Sequence, residues 1–276
     1  MPCKKKYISI KSGFFCLLFC CLIFSGCAQK RWNEELTEEE NKTVEIILRD
    51  MQQQEKSCFQ SFDTDMKMFW KTPTGDSAVE GYLVLRSPSS IKFVITNPLG
   101  QPVFAFTGNG KTFQLLKANE KRHIRGNVRS LAIRNQIPLI LARDDWFAYL
   151  SGRLPLRKLT VEESAKGSDN TLWLKIATAK GPYTTGSIYL QIDPAKKKLL
   201  SYLFLDDDGD VLAEIRYGKQ KTGTTPCDVH TDIQVSELPW GSAIRIKLKN
   251  ISGFNQFKKT DFVLPVPKSF RTQLWP

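Results

Sequence analysis

Alternation of apolar and polar residues with a period of two recurs along most of this chain, and it limits the fold more than any other feature. Ile91, Phe93 and Ile95 alternate with Lys92, Val94 and Thr96; Ile188, Leu190 and Ile192 alternate with Tyr189 and Gln191. The same rhythm sets Val229, Thr231, Ile233 and Val235 against His230, Asp232 and Gln234, and Ile244, Ile246 and Leu248 against Arg245, Lys247 and Lys249. Successive side chains of a strand point to opposite faces, so each run predicts a strand with one greasy and one wet side. By this parity His230 lies on the wet side. Turn signals separate the runs at short intervals: Thr74-Gly75-Asp76, Asn97 to Gly100, Asn109-Gly110, Asp193-Pro194 and Asp208-Gly209. Strands so closely spaced and hairpin-linked predict one large antiparallel sheet that curls toward a barrel.

Two segments depart from this period. Thr37 followed by Glu40 is a capping-box signature, and Val44, Ile47, Leu48 and Met51 follow at helical spacing, predicting a helix over 38–56. The run from Ile137 to Leu150 is too long and too apolar for a strand, and Gly152 and Pro155 follow it in the order expected past a helix end. It predicts a helix over 138–151 with Leu139, Trp146 and Leu150 toward the sheet. The fold class is therefore mainly β with a few helices (α+β). The last 25 residues, with Pro265, Pro267 and Pro276, read as a final strand or an extended tail. No repeat or linker divides residues 37–276, which are expected to form a single domain.

The N-terminus predicts export. Lys4, Lys5, Lys6 and Lys11 form a positive region, and residues 13–24 are apolar and uncharged. At roughly a dozen residues this stretch is short of the about 20 that a membrane-spanning helix needs, and it suits a signal-peptide core. It closes on Leu22-Ile23-Phe24-Ser25-Gly26-Cys27, which resembles a bacterial lipobox with Phe24 where leucine is usual. Residues 1–26 are thus expected to be removed, Cys27 to carry lipid, and 27–36 to serve as a lipidated tether. Ala28, in place of a retaining aspartate, points to the outer membrane. The formal net charge is +12, and the leader holds four lysines and no acids, which leaves +8. On an exported, tethered protein that charge suits anionic membrane surfaces and solubility, not nucleic acid. Of seven cysteines, Cys58 and Cys227 remain beyond the leader and Cys27. They form either one disulfide, which an oxidising envelope permits, or a free buried pair.

Motifs that look chemical have simpler readings. "AFTGNGKT" at 105–112 approaches a phosphate-cradling loop, but Ala105 takes the first glycine position and Phe113-Gln114-Leu115 alternates instead of opening a helix. Asn109-Gly110 reads as a hairpin turn. "DDDGDVLAE" at 206–214 lacks the calcium loop's glycine at its sixth position, Val211, and its glutamate at the twelfth, Tyr217. A hairpin between 199–205 and 211–217 accounts for it. There are two histidines, His123 and His230, and no G-x-S-x-G elbow; Asp144 and Asp145 fall on neighbouring helix positions that do not face each other. No catalytic residue, metal or cofactor is expected. The residues point to binding.

One corner remains odd. Asn97, Pro98 and Gly100 suit their positions in a tight turn, yet Leu99 stands at the tip, where a polar residue would face water at no cost. Four blocks in order resemble the LolB family of outer-membrane lipoprotein receptors: the lipobox at Cys27, "IKFVITNPLGQPVFAF" at 91–106, "IPLILARDDWFAYLSGRLP" at 137–155 and "GSAIRIKLKNI" at 241–251. The tail after Ser252 exceeds the family's usual end.

The resemblance implies an incomplete antiparallel β-barrel with a helical lid enclosing an apolar cavity. The sheet would line that cavity with Ile91, Phe93, Ile95, Phe104, Phe106, Ile244 and Ile246, and the lid with Leu139, Trp146 and Leu150. It also implies that Leu99, carried by Pro98 and Gly100, projects from the barrel and enters the membrane during transfer. The implied partners are a LolA-like periplasmic carrier, acylated lipoprotein cargo and the membrane, through the lipid on Cys27; a monomer without nucleic acid or cofactor is expected. The alternative is a structural or sensory envelope lipoprotein that binds a partner protein or a lipid without delivering cargo.

Overall fold

The computed structural model describes residues 32–72, 75–142, 145–167, 169–177, 186–221, 227–238 and 243–276. The expected leader, the lipobox with Cys27, and Thr74 and Asp144 lie outside them.

Strand β1 (Trp32–Glu35) leads into helix α1 (Glu38–Ser57), and then the hairpins begin: β2 (Ser61–Thr72), β3 (Gly75–Arg86), β4 (Ser90–Thr96), β5 (Pro102–Gly108), β6 (Thr112–Lys117) and β7 (Arg122–Asn127). Two short helices follow, α2 (Val128–Arg134) and α3 (Trp146–Ser151). The second half is β8 (Val161–Gly167), β9 (Leu172–Ile176), β10 (Ser187–Asp193), β11 (Lys198–Leu205), β12 (Val211–Tyr217), β13 (Gln220–Lys221), β14 (Val229–His230), β15 (Asp232–Ser236) and β16 (Ala243–Ser252). A 3-10 turn (Lys259–Phe262) and β17 (Arg271–Trp275) end the chain.

Fifteen strands form one sheet in the order β1-β8-β9-β10-β11-β12-β15-β16-β2-β3-β4-β5-β6-β7-β17, while β13 and β14 form a separate ribbon. Neighbours are antiparallel except β17, which runs parallel to β7. The two ends of the sheet, β1 and β17, do not pair, so the barrel is incomplete. Residues paired across a ladder share a face. The register Leu248↔Met66↔Gly81↔Ile95↔Phe104 therefore puts the apolar positions of β16, β2, β3, β4 and β5 on one concave side.

Helix α1 begins at the expected box: Thr37 Oγ1 accepts from Glu40 N at 3.3 Å, and Thr37 N donates to the Glu40 carboxylate at 2.9 Å. Lys166 on β8, followed by Thr37, holds the Glu40 carboxyl down to about 2. Val44, Leu48 and Met51 of α1 join the same core as Phe147 and Tyr149 of α3 and the concave strand residues. The Asn109 and 206–210 turns are hairpins, as their sequences predict.

Four features differ from the sequence expectations. Among the described residues of the 138–151 segment, only Trp146–Ser151 are helical. Before it, Leu141 N donates to Pro138 O and Ala142 N to Leu139 O, closing separate turns. The Asp145 carboxylate pairs with Arg157 at 3.1 Å instead of capping, and Gly152 ends α3 at φ +70°. The run is apolar because it is enclosed, with Ile140, Phe147, Ala148 and Tyr149 all buried, not because one long helix shows a greasy stripe. Helix α2 has no apolar run long enough to announce it; Asn127 caps it by accepting from Ser130 N at 2.7 Å.

His230 is not on a wet face but buried, 5.0 Å from the Tyr217 ring. The alternation from Val229 to Val235 spans two strands: β14 pairs with β13, β15 with β12 and β16, and Thr231 N turns aside to Lys219 O. That change of partner resets the parity. The convex side is not uniformly wet either. Val94, Ala105 and Leu116 are covered by Leu264, and Trp32 lies 4.6 Å from Tyr189 and 5.5 Å from Trp173. The final 25 residues supply both the cover and an edge strand. Thr107 donates to Phe262 O at 2.7 Å, Lys92 to Asp261 O at 3.1 Å, and β17 joins β7. Cys58 and Cys227 form a disulfide that ties the end of α1 to the segment before β14, with Cα atoms 5.6 Å apart.

Candidate functional site

The Asn97–Gln101 corner is tied by the Asn97 side chain together with the backbone. Asn97 Oδ1 accepts from Leu99 N at 3.0 Å and Gln101 N at 2.9 Å, while its Nδ2 donates to Gln101 Oε1 at 3.1 Å. The backbone closes the same loop: Gly100 N donates to Asn97 O and Asn97 N to Gln101 O, both at 2.9 Å. Gly100 sits at φ +77°, a conformation a side chain would strain. Pro98 and Leu99 are thereby held outward on an ordered tip. Leu99 is 82% exposed, against 63% for Leu274 and 57% for Ile133. Burying such a side chain is favourable by about 1.5–3 kcal/mol, and nothing in this fold collects that energy.

Behind the tip the concave face changes character along its strands. At the end remote from Leu99, Phe62, Leu83, Leu85 and Ile91 are buried. Toward Leu99, Met68, Phe93, Phe104, Val235 and Ile244 pack against that core while remaining half-buried, as does Leu150 from α3. An apolar surface therefore emerges from under the helices and runs toward the corner.

The sequence-predicted lining residues distribute as follows. Ile91, Phe106 and Ile246 are buried in the core; Phe93, Phe104, Trp146, Leu150 and Ile244 pack on it half-buried. Ile95 and Leu139 are half-buried and stand outside that cluster, with Ile140 taking the buried place beside Leu139. Rings connect the group. Phe93 lies 5.5 Å from Phe104 and 5.3 Å from Phe106, and Phe106 lies 6.2 Å from both Phe113 and Trp146. Trp146 reaches the sheet because residue 108 is glycine: a Cβ there would sit 2.6 Å from the indole. Its Nε1 donates to Leu141 O at 3.1 Å.

Polar groups hold the helices over the base, and no local pattern announces them. Arg153, which is buried, donates to Glu55 Oε2 at 2.5 Å and to Phe59 O at 2.7 Å, and its guanidinium lies 4.9 Å from the Phe59 ring and 5.3 Å from that of Phe147. Tyr202 donates to Arg153 O and Tyr217 to Tyr149 O, each at 2.8 Å. Burial drives both phenols well above their ordinary range and pushes the Glu55 carboxyl up, with Arg153 opposing the latter. Burial also lowers the His123 and His230 imidazoles. No group of three or more potential metal ligands occurs among the described residues.

No protein-family model and no curated protein matches this sequence. Solved structures do match in shape. A LolA-superfamily protein from Nitrosomonas europaea aligns with a TM-score of 0.55 at 14% identity, over 80% of this chain and 97% of that one. A domain assigned as an outer membrane lipoprotein-sorting protein from Vibrio parahaemolyticus aligns with a TM-score of 0.57, again at 14% identity, over 80% of this chain and 96% of that one. At such identity the likeness is one of fold: the chain shares the open, mostly antiparallel architecture of these structures.

Proposed function

We propose that this chain is a lipid-anchored envelope protein, tethered through Cys27, that accepts acylated lipoproteins from a LolA-like periplasmic carrier and releases them into the outer membrane. In this reading residues 1–26 are a leader and 27–36 begin as a tether whose Trp32–Glu35 end joins the sheet as β1, so that the domain of 37–276, acting as a monomer, includes that strand. The half-buried mouth takes the acyl chains, and Leu99 enters the bilayer. The chemistry is binding and transfer, without a catalytic step.

One observation carries the reading: an exposed leucine on a tip ordered by Asn97, at the end of the sheet toward which the apolar concave face opens. The fold shared with a lipoprotein-sorting domain supports it. Each acyl methylene left in water costs about 0.8 kcal/mol, so one chain of ordinary length carries on the order of 10 kcal/mol and needs an apolar route throughout. A single leucine is too weak to anchor the protein, but it suffices to press one loop against a bilayer already held near by lipid.

The test is Leu99→Glu in the processed, folded protein. Cargo binding is expected to persist while cargo delivery to the outer membrane fails; unimpaired delivery overturns the reading.

A further inference from the structure

The C-terminal chain crosses the convex face of β4–β6 and leaves a groove of about 480 Å³ between itself and the turns that follow β3 and β5. Its walls carry three cations from three separate stretches: Arg86 at the end of β3, Lys111 in the Asn109-Gly110 turn, and Lys259 in the 3-10 turn. Among the described residues, no aspartate or glutamate lines the groove. None of the three cations forms an ion pair among the described residues. Its floor is apolar, made by the buried Phe262 with Pro88 and Val263 beside it. Gathering three positive groups around one concavity costs Coulomb energy unless an anion shares the space.

We propose that this groove binds a phosphate dianion, free or as the head of an ester, between Arg86, Lys111 and Lys259. A dianion balances three cations better than a single carboxylate does. Arginine's planar fork matches two phosphate oxygens, and lysines serve as mobile point charges around the rest. Phe262 and Val263 would cover the organic part of an ester. The recognition is by side chains and not by the turn's backbone, because Asn109 Oδ1 already accepts from Lys111 N at 3.0 Å and Thr112 N at 2.8 Å. That separates the site from a phosphate-cradling nucleotide loop. It also lies at the opposite ends of β4 and β5 from Leu99, so it works independently of the mouth.

The test uses the full-length chain in a neutral maltoside micelle, titrated calorimetrically with inorganic phosphate, dihexanoyl phosphatidate and dihexanoyl phosphatidylcholine. Lys111 and Lys259 are exposed, so the Lys111→Gln/Lys259→Gln variant is expected to keep the fold, checked by an unchanged melting temperature. It should weaken anion binding at least tenfold, while Leu99→Glu leaves that binding unchanged even where it abolishes delivery. Phosphatidate bound more tightly than inorganic phosphate assigns the site to a lipid headgroup; phosphate bound at least as tightly assigns it to the free ion. Equal anion affinity in the double variant, equal affinity for phosphatidylcholine, or no binding of either anion overturns the proposal.

Discussion

The Arg153 guanidinium meets the Glu55 carboxylate across 2.5 Å, with the two side chains 3% and 17% exposed. Arg153 directly follows the Gly152 that ends α3, and Glu55 lies in the last turn of α1. The pair therefore fastens the two helices that cover the base of the concave sheet, and Tyr202 completes it by donating to the Arg153 carbonyl.

Breaking this pair from one side should be costly. Glu55→Ala leaves a buried guanidinium without its carboxylate, and a loss of about 3–5 kcal/mol is expected. Replacing both residues, as Arg153→Met with Glu55→Leu, should recover much of that loss. Denaturant titration of the single and double variants measures the difference.

The tip predicts a separation of stability from function. Leu99 touches little, so Leu99→Ala should change unfolding free energy by no more than about 0.5 kcal/mol. Asn97→Ala removes the side chain that ties the corner and should cost about 1–2 kcal/mol. If the ordered tip matters for transfer, cargo delivery will fall in both variants, the second with Leu99 intact.

Gly108→Ala places a methyl group against the Trp146 indole. Overpacking of this kind costs about 1–3 kcal/mol. A shift in tryptophan emission together with a lower denaturation midpoint is the expected readout, and Trp146→Leu in the same background should relieve part of the loss.

The disulfide joins residues separated by 169 positions. Replacing both Cys58 and Cys227 with serine should lower stability by about 2–5 kcal/mol, and a reducing agent should reproduce the effect in the parent but not in the variant. Melting curves with and without reductant distinguish the two.

Stability should fall on mild acidification. Burial lowers the His230 and His123 imidazoles below the ordinary value of 6.5, so the folded state resists their protonation while the unfolded chain accepts it. Their contribution is fully present above about pH 6.5 and is lost as pH falls through the lowered values. The melting temperature should be lower at pH 5.5 than at 7.5, and His230→Phe should reduce that difference.

Local chemistry made much of this protein legible from its residues alone. Thr37 and Glu40 specify the start of α1 because a capping box needs only residues three apart. Asn109-Gly110 and the 206–210 acids specify hairpins because turn conformation is set within four residues. Asn97, Pro98 and Gly100 likewise determine the corner, and with it a leucine at the tip. Strand faces followed from parity wherever a strand stayed within one sheet, as in β4 and β16.

What the chain could not disclose depended on distant partners. His230 is buried because the pairing changes at Thr231, a decision made by β12, β13 and β16. Val94 is dry because Leu264, remote in sequence, lies over it. Residues 137–142 are not helical because the apolar side chains of this run are enclosed from several directions, which hydrophobicity alone cannot tell from one long amphipathic face. Arg153 becomes a buried anchor, and Cys58 finds Cys227, only once α1, α3 and the β13–β14 ribbon meet. Period and turn chemistry are properties of neighbouring residues; burial and pairing are properties of the assembled sheet.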